Sequence, residues 1–340
     1  MTGRLALVLA FALAALALPL HAQQRSAQAD QLDAQAIAAE RVWRNYQQRI
    51  AVAIAGSGQA RDLALAAVLQ DVATADPDQP SASDADARAW RQAAAGSAGQ
   101  DVLANAMLMM GDGDGAQALR EQAARRWAQA EPDNIAPLLF QHDGVDALLA
   151  NARHLTRFDL HMYDQVRWIQ SKLVQHPPSA NEREVLFGEE AVPIQEHAAV
   201  SAMALWAAVA IPSLQELAEA CEGRALRATA SRGADCAHVA RVLVGYSDSS
   251  LGRMLGIGML ETMAGNASER AEAQALGRRM DWQMLEWGRI SSQQPRDGAP
   301  QFVRLLADPQ VRTEQDLIER ILTEAGVALD PPAGWQPPRR

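Results

Sequence analysis

Lysine is almost absent from this chain, because Lys172 is the only one and arginine supplies nearly all of the positive side chains. We attribute this bias, together with the abundance of alanine, to a GC-rich bacterial genome rather than to function. Acidic residues outnumber basic ones by 41 to 31, which gives a formal net charge of −10. A chain with this charge is not expected to bind nucleic acid or an anionic membrane surface.

The sequence also lacks the short motifs that mark well-known catalytic sites. It contains no HExxH metalloprotease motif, no GxSxG nucleophile turn, no Walker loop and no dinucleotide-binding fingerprint. The Glu-Ser step that the catalytic domain of exported lytic transglycosylases requires is missing as well. We therefore predict no catalytic residue, no cofactor and no metal ion, and we leave enzymatic activity open but less favoured.

No stretch of useful length alternates apolar and polar residues in the way that a half-buried β-strand does. Apolar residues recur instead at steps of three and four along most of the chain, which is typical of amphipathic helices. We predict an all-α fold of about fourteen helices, most of them roughly 8 to 20 residues long. The helices are expected to form antiparallel hairpins that stack into an α-solenoid-like array.

The first 22 residues have the composition of a secretory signal peptide. Arg4 precedes an apolar run from Leu5 to Leu18, and Ala22 lies at the expected cleavage point. The run is shorter than the roughly 20 residues that cross a bilayer, so an uncleaved anchor is the weaker alternative. No cysteine stands near the cleavage point to carry a lipid. We expect cleavage, periplasmic localisation and no membrane attachment of the mature chain.

We divide the chain into four parts. Residues 1–22 form the signal peptide, residues 23–176 an N-terminal helical-repeat half, residues 177–326 a C-terminal helical half, and residues 327–340 a proline-rich tail. The boundary between the halves is placed at the prolines that follow His176. The tail has too many prolines for a helix, and Trp335 is a possible anchor for it.

The stretch from Ala116 to Leu139 predicts a helical hairpin. Its first helix carries Trp127 on an apolar stripe and ends at Pro132, and Asp133 and Asn134 are suitable N-cap residues for a second helix. The pattern AEPDN at 130–134, with DPDQ at 76–79 as a second copy, resembles the turn of tetratricopeptide-type repeats over about a third of the chain. This resemblance implies a helical-repeat architecture and binding to other proteins, but it identifies no binding residue.

Histidines and acidic residues provide the few candidate sites for chemistry. His154, His161 and Asp164 could lie together, since seven residues place two histidines on one side of a helix. Thr156 and Arg157 favour a helix boundary, which would separate them, and we interpret the histidines as structural. A helix over Arg157 to Gln175 is predicted from its apolar periodicity.

A second acidic cluster and an aspartate loop have equally simple explanations. Glu189, Glu190, Glu196 and His197 could supply a general acid and base, but a solvated helix start explains them as well. The loop GDGDG at 111–115 resembles part of a calcium loop, yet Ala116 and Ala123 occupy the positions where further ligands are needed. We therefore expect a turn between helices there.

Cys221 and Cys236 are the only cysteines, and both lie beyond the signal peptide. In an oxidising compartment they are expected to form a disulfide, with two buried thiols as the alternative. The geometry of a disulfide requires Cys221 near the end of one helix and Cys236 near the start of the next. Gly252, Gly256 and Gly258 are expected to let a neighbouring helix approach closely.

Taken together, these features favour an exported helical scaffold that binds a protein or peptide. The alternative is an unrecognised hydrolase that acts on cell-envelope material.

Overall fold

The computed structural model describes residues 35–75, 84–110, 117–141, 143–187, 192–293 and 299–338. Within these ranges the regular structure is helical and no strand is present. The only β-type pairings there are isolated bridges, from Asn134 to Arg157 and from Phe158 to Ser247. The all-α prediction is confirmed. The predicted signal peptide and the GDGDG loop lie outside the described residues.

The helices follow one another through most of the chain. Helix α1 covers 35–55. The other α-helices are α2 (Ala60–Thr74), α3 (Ala85–Ser97), α4 (Val102–Met107), α5 (Gln117–Ala130), α6 (Val145–Ala152), α7 (Met162–Gln175), α8 (Ala180–Phe187), α9 (Ile194–Val209), α10 (Gln215–Ala220), α11 (Arg232–Tyr246), α12 (Ser250–Met263), α13 (Ala267–Gln293), α14 (Ala299–Ala307) and α15 (Glu314–Glu324). Two short 3₁₀ helices, Ala136–Phe140 and Ala225–Arg227, flank α6 and α11.

Several helices begin and end at residue types that favour helix ends. The carboxylates of Asp84 and Asp101 accept hydrogen bonds from the first turns of α3 and α4. Thr313 and Asp316 form a reciprocal capping box at the start of α15, and Gly326 follows that helix with a positive φ of 70°. Helix α12 is capped by the hydroxyl of Ser249, which accepts a hydrogen bond from the N–H of Gly252.

Neighbouring helices in the chain pack together in many places. Helix α2 packs on α3, α4 on α5, α11 on α12, and α12 on α13, whereas α7 packs mainly on α9 beyond the short α8. A single cluster of buried apolar side chains joins these pairs. Its largest fully buried members include Trp127, Trp206, Tyr46, Tyr163 and Phe158. Among the described residues, no helix is both long enough and apolar enough to cross a membrane.

The segment after α5 differs from the predicted hairpin. Helix α5 ends before Pro132 as expected, and its Trp127 is buried. The second arm, however, is only the five-residue 3₁₀ helix Ala136–Phe140. The Oδ1 atom of Asn134 accepts a hydrogen bond from the N–H of Ala136, 3.1 Å away, at the start of this short helix.

The helix predicted over Arg157 to Gln175 begins five residues later, at Met162. Its apolar face, with Val166, Ile169 and Leu173, is buried as the periodicity indicates. Phe158 instead belongs to an extended segment that pairs with Ser247. The backbone turns into the helix at His161, the only residue other than glycine with a positive φ, 57°, among those described.

The glycines of α12 differ in how closely a neighbouring helix approaches them. A Cβ atom added at Gly256 would lie 2.7 Å from the carbonyl oxygen of Ala240 and 2.8 Å from Cβ of Leu243, both on α11. At Gly258 nothing lies within 4 Å of that position. A Cβ atom at Gly252 would collide with the side chain of Ser247. The predicted close approach therefore holds at Gly256 and not at Gly258.

We expect Gly256→Ala to lower the free energy of unfolding by about 1 to 3 kcal/mol, because the backbone of α11 must move to admit a methyl group. Gly258→Ala is the matched control on the same helix. It should be neutral or stabilise by up to about 1 kcal/mol, since alanine favours a helix more than glycine does. Urea unfolding of both variants measures the difference. Equal effects at the two positions would contradict the close packing of α11 on α12.

Candidate functional site

The structure does not bring the three candidate residues His154, His161 and Asp164 together. His154 is exposed and follows the end of α6, whereas His161 and Asp164 lie at the start of α7. The helix boundary favoured at Thr156 and Arg157 is present, so one helix does not carry both histidines. The only partner that His161 retains from this set is Asp164, with 3.8 Å between Nδ1 and Oδ2.

The acidic cluster near α9 does not form a described site either. Glu189 and Glu190 lie outside the described residues, as do Asp112 and Asp114 of the aspartate loop. His197 is buried on α9, where its ring lies 5.9 Å from Trp43 and 6.4 Å from Tyr46 between centroids. Burial lowers the pKa of His197, so this ring packs as a neutral group. Glu196 is half-buried beside it.

His161 is instead the centre of a polar cluster that includes Glu131, at the end of α5. Nε2 of His161 lies 2.8 Å from Oε2 of Glu131. The same carboxylate oxygen accepts hydrogen bonds from the indole N–H of Trp127, at 2.8 Å, and from the amide of Asn134, at 3.0 Å. The guanidinium of Arg157 is 3.0 Å from the other oxygen. Glu131 thus joins the end of α5 to the segment that precedes α7.

Distant side chains hold the extended segment in front of α7. The amide of Asn134 donates to the carbonyl of Asp159 and accepts from its N–H, at 2.8 and 3.0 Å. The carboxylate of Asp248 accepts hydrogen bonds from the N–H groups of Leu160 and Met162, at 3.0 and 2.9 Å. The peptide groups on either side of His161 are therefore bound by groups from two other parts of the chain.

The cluster fixes the protonation state of His161. Burial alone would lower the pKa of His161, but the carboxylates of Asp164, Glu131 and Asp159 outweigh burial and raise it to about 10. Burial would raise the pKa of Glu131, yet hydrogen bonds from His161, Asn134 and Trp127 hold it far below its usual range. His161 and Glu131 are thus an ion pair at neutral pH. A histidine held as a cation cannot accept a proton, so the cluster is not suited to general-base catalysis.

Buried carboxyl groups continue the cluster toward α12. Asp248 is fully enclosed, and burial together with the charge of Asp159 raises its pKa, against the hydrogen bonds from Met162 and Leu160. Among the described residues, no group of three or more histidine, cysteine or acidic side chains is arranged to hold a metal ion. The role that these contacts support is the positioning of α5, α7 and α12 relative to one another.

The two cysteines lie at disulfide-bonding distance, as the sequence predicts. Cys221 directly follows α10, Cys236 lies early in α11, and their Cα atoms are 5.6 Å apart. Gly223, with a φ of 50°, turns the chain after α10. Because α10 has only six residues, it is too short to be stable without tertiary contacts, and the cysteine pair fixes its end to α11.

Replacing both cysteines by alanine is expected to lower the free energy of unfolding by about 3 kcal/mol, because the bridge closes a chain segment of separation 15. The reduced wild-type protein should unfold like the double variant. A thiol reagent added to the denatured, unreduced protein gives the direct test. We expect no reactive thiol, and two per chain would show that the bridge does not form.

A groove with a volume of about 540 Å³ lies beside α10. Its walls come from the end of α2, the 3₁₀ helix Ala136–Phe140, α6, and the chain from the end of α9 into α10, with Met109 and with Arg120 of α5 completing the lining. Half-buried apolar side chains line much of it. They include Leu138, Leu139, Phe140, Val145, Leu148 and Val209.

Comparison with known proteins does not indicate what this groove binds. No family model, curated protein or solved structure matches the chain. The resemblance to tetratricopeptide-type repeats therefore stays an expectation from the sequence. What the groove can bind has to be inferred from its own side chains.

The floor and the edge of the groove differ in character. Leu217 of α10 and Pro212 before it are buried at the base, while Ile211 stands 40% exposed at the side. Such a concave surface, apolar within and charged at its margin, suits the side chains of a bound peptide better than a small polar substrate. No local sequence pattern predicts this groove, because its walls come from segments up to 146 positions apart, from Asp71 to Leu217.

Proposed function

We propose that this protein is an exported helical binding protein that takes a segment of another protein or peptide into the groove beside α10. The observation that carries this proposal is the run of apolar side chains within the groove, from Leu138 and Leu139 to Val209. These side chains are only half-buried in the free protein. Covering them with apolar side chains of a partner would contribute about 25 cal/mol for each Å² removed from water.

The architecture and the predicted address agree with this proposal. Sequential packing of α2 on α3, α11 on α12 and α12 on α13 supports an array of helical hairpins of the kind that presents binding surfaces. The signal-peptide pattern at residues 1–22 and the cysteine pair support export to an oxidising compartment, the periplasm. A hydrolase of cell-envelope material is less supported, because His161 is held as a cation and His197 is packed against aromatic rings.

A matched pair of surface variants tests the proposal. Ile211, at the groove, is 40% exposed, and Leu285, on α13 away from the groove, is 42% exposed. Ile211→Asp places a charge against the apolar lining, whereas Leu285→Asp makes the same chemical change elsewhere. We expect both variants to fold, since each side chain already contacts water.

Both variants and the wild type are immobilised and exposed to a periplasmic extract, and the bound species are identified by mass spectrometry. We expect at least one species that the wild type and Leu285→Asp retain and that Ile211→Asp loses. If Ile211→Asp captures the same set as the wild type, the groove is not the binding surface.

A further inference from the structure

The charges at the margin of the groove carry an inference about the segment it binds, which rests on the proposed function. Four ionisable side chains border the groove: Asp71, Arg120, Asp143 and Glu216. Asp71 forms an ion pair with Arg91, which is itself only 3% exposed, so these two charges compensate each other inside the protein.

Asp143 and Glu216 differ from Asp71 in having no ionic or hydrogen-bond partner among the described residues. Both are exposed, Asp143 just before α6 and Glu216 in the first turn of α10. Because they come from two different walls of one groove, the exposed charge beside the apolar lining is negative, and half-buried Arg120 is the one basic side chain in that lining. We infer that the bound segment carries a large apolar side chain next to an arginine or a lysine.

The apolar and the basic side chain of the bound segment contribute to binding in different ways. The apolar side chain displaces water from Leu139, Val209 and their neighbours, which supplies most of the affinity. The basic side chain meets Asp143 or Glu216 at the exposed margin, where ion pairs contribute less affinity but select between partners. Acidic segments are disfavoured by the same charges. The preference should weaken as salt is added, since the pairs are exposed to solvent.

Short fluorescein-labelled peptides provide the probes. One alternates leucine with arginine, a second has glutamate in place of every arginine, and a third has alanine in place of every leucine. Binding to the full mature protein is measured by fluorescence anisotropy. We expect the leucine–arginine peptide to bind about 10-fold or more tightly than either of the others, from two exposed ion pairs and the apolar burial.

Charge-neutral variants identify the side chains responsible. The double variant Asp143→Asn with Glu216→Gln should reduce the preference for arginine over glutamate by about 3-fold to 10-fold. The matched control removes two exposed carboxylates of α13, through Glu272→Gln with Asp281→Asn, and should leave the preference unchanged.

The outcomes separate this inference from the proposed function. Equal binding of the arginine and glutamate peptides, or binding of neither, overturns the inference about charge. The proposed function survives that result if Ile211→Asp still abolishes capture from the extract. Both fail together if Ile211→Asp has no effect on either assay.

Discussion

Glu131→Ala should lower the free energy of unfolding by about 3 to 5 kcal/mol, the range expected when one partner of a buried ion pair is removed. The Glu131 side chain is only 14% exposed. Its carboxylate forms ion pairs with His161 and Arg157 and accepts hydrogen bonds from Trp127 and Asn134. Removal leaves the His161 cation without its closest counter-charge. It also leaves the indole N–H of Trp127 unpaired, although that residue is only 1% exposed.

A second glutamate, near the other end of α5, is the control for this prediction. Glu121 is paired with Arg125 one helical turn away, at 3.7 Å, and the Arg125 side chain is 54% exposed. Glu121→Ala should therefore change the free energy of unfolding by less than about 1 kcal/mol. Urea unfolding followed by tryptophan fluorescence gives both values. A loss at position 131 no larger than that at 121 would show that the Glu131 contacts do not hold the fold.

The sequence was sufficient wherever a helix is determined by residues close together in the chain. Thr313 and Asp316 are three positions apart and form the capping box at the start of α15. The apolar spacing of Val166, Ile169 and Leu173 predicts the buried face of α7. Local signals of this kind act within one or two turns, and a single sequence displays them in full.

The segment before α7 shows why other features could not be predicted. Phe158 continues the helical spacing of Val166 and Ile169, so periodicity extends the helix too far toward the N-terminus. What overrides that pattern is long-range, because Asn134 binds the backbone of Asp159 across 25 positions. Asp248 binds the N–H of Leu160 across 88 positions. No local sequence pattern predicts such contacts.

The candidate sites show the same difference between local signals, which the sequence displays, and long-range contacts, which it does not. The sequence singled out His161 and Asp164 but paired them with His154, which lies on the surface. Glu131 belongs to the AEPDN pattern, from which the sequence predicts only a turn after a helix. Its contact with His161 depends on how α5 packs relative to the start of α7, and the sequence alone does not give that tertiary packing. The groove, whose walls come from separate parts of the chain, is a tertiary feature of the same kind.

The second large effect concerns pH. The pKa of His161 is raised from 6.5 to about 10 on folding, so above pH 6.5 the folded protein holds a proton that the unfolded chain releases. The stabilisation is complete below that pH and is lost as pH rises toward 10. From about pH 7 to about pH 9.5 the free energy of unfolding should fall by about 3 kcal/mol, at 1.36 kcal/mol for each pH unit.

Two asparagine variants test whether His161 causes this fall of the free energy of unfolding with pH. Asparagine tolerates the positive φ of His161, so His161→Asn removes the titrating group with little backbone strain. We expect this variant to be less stable than the wild type at neutral pH and nearly insensitive to pH in the same window. His154→Asn changes an exposed histidine and should keep the wild-type slope. Urea unfolding at a series of pH values decides the matter, and a slope that persists in His161→Asn would mean that another group releases the proton.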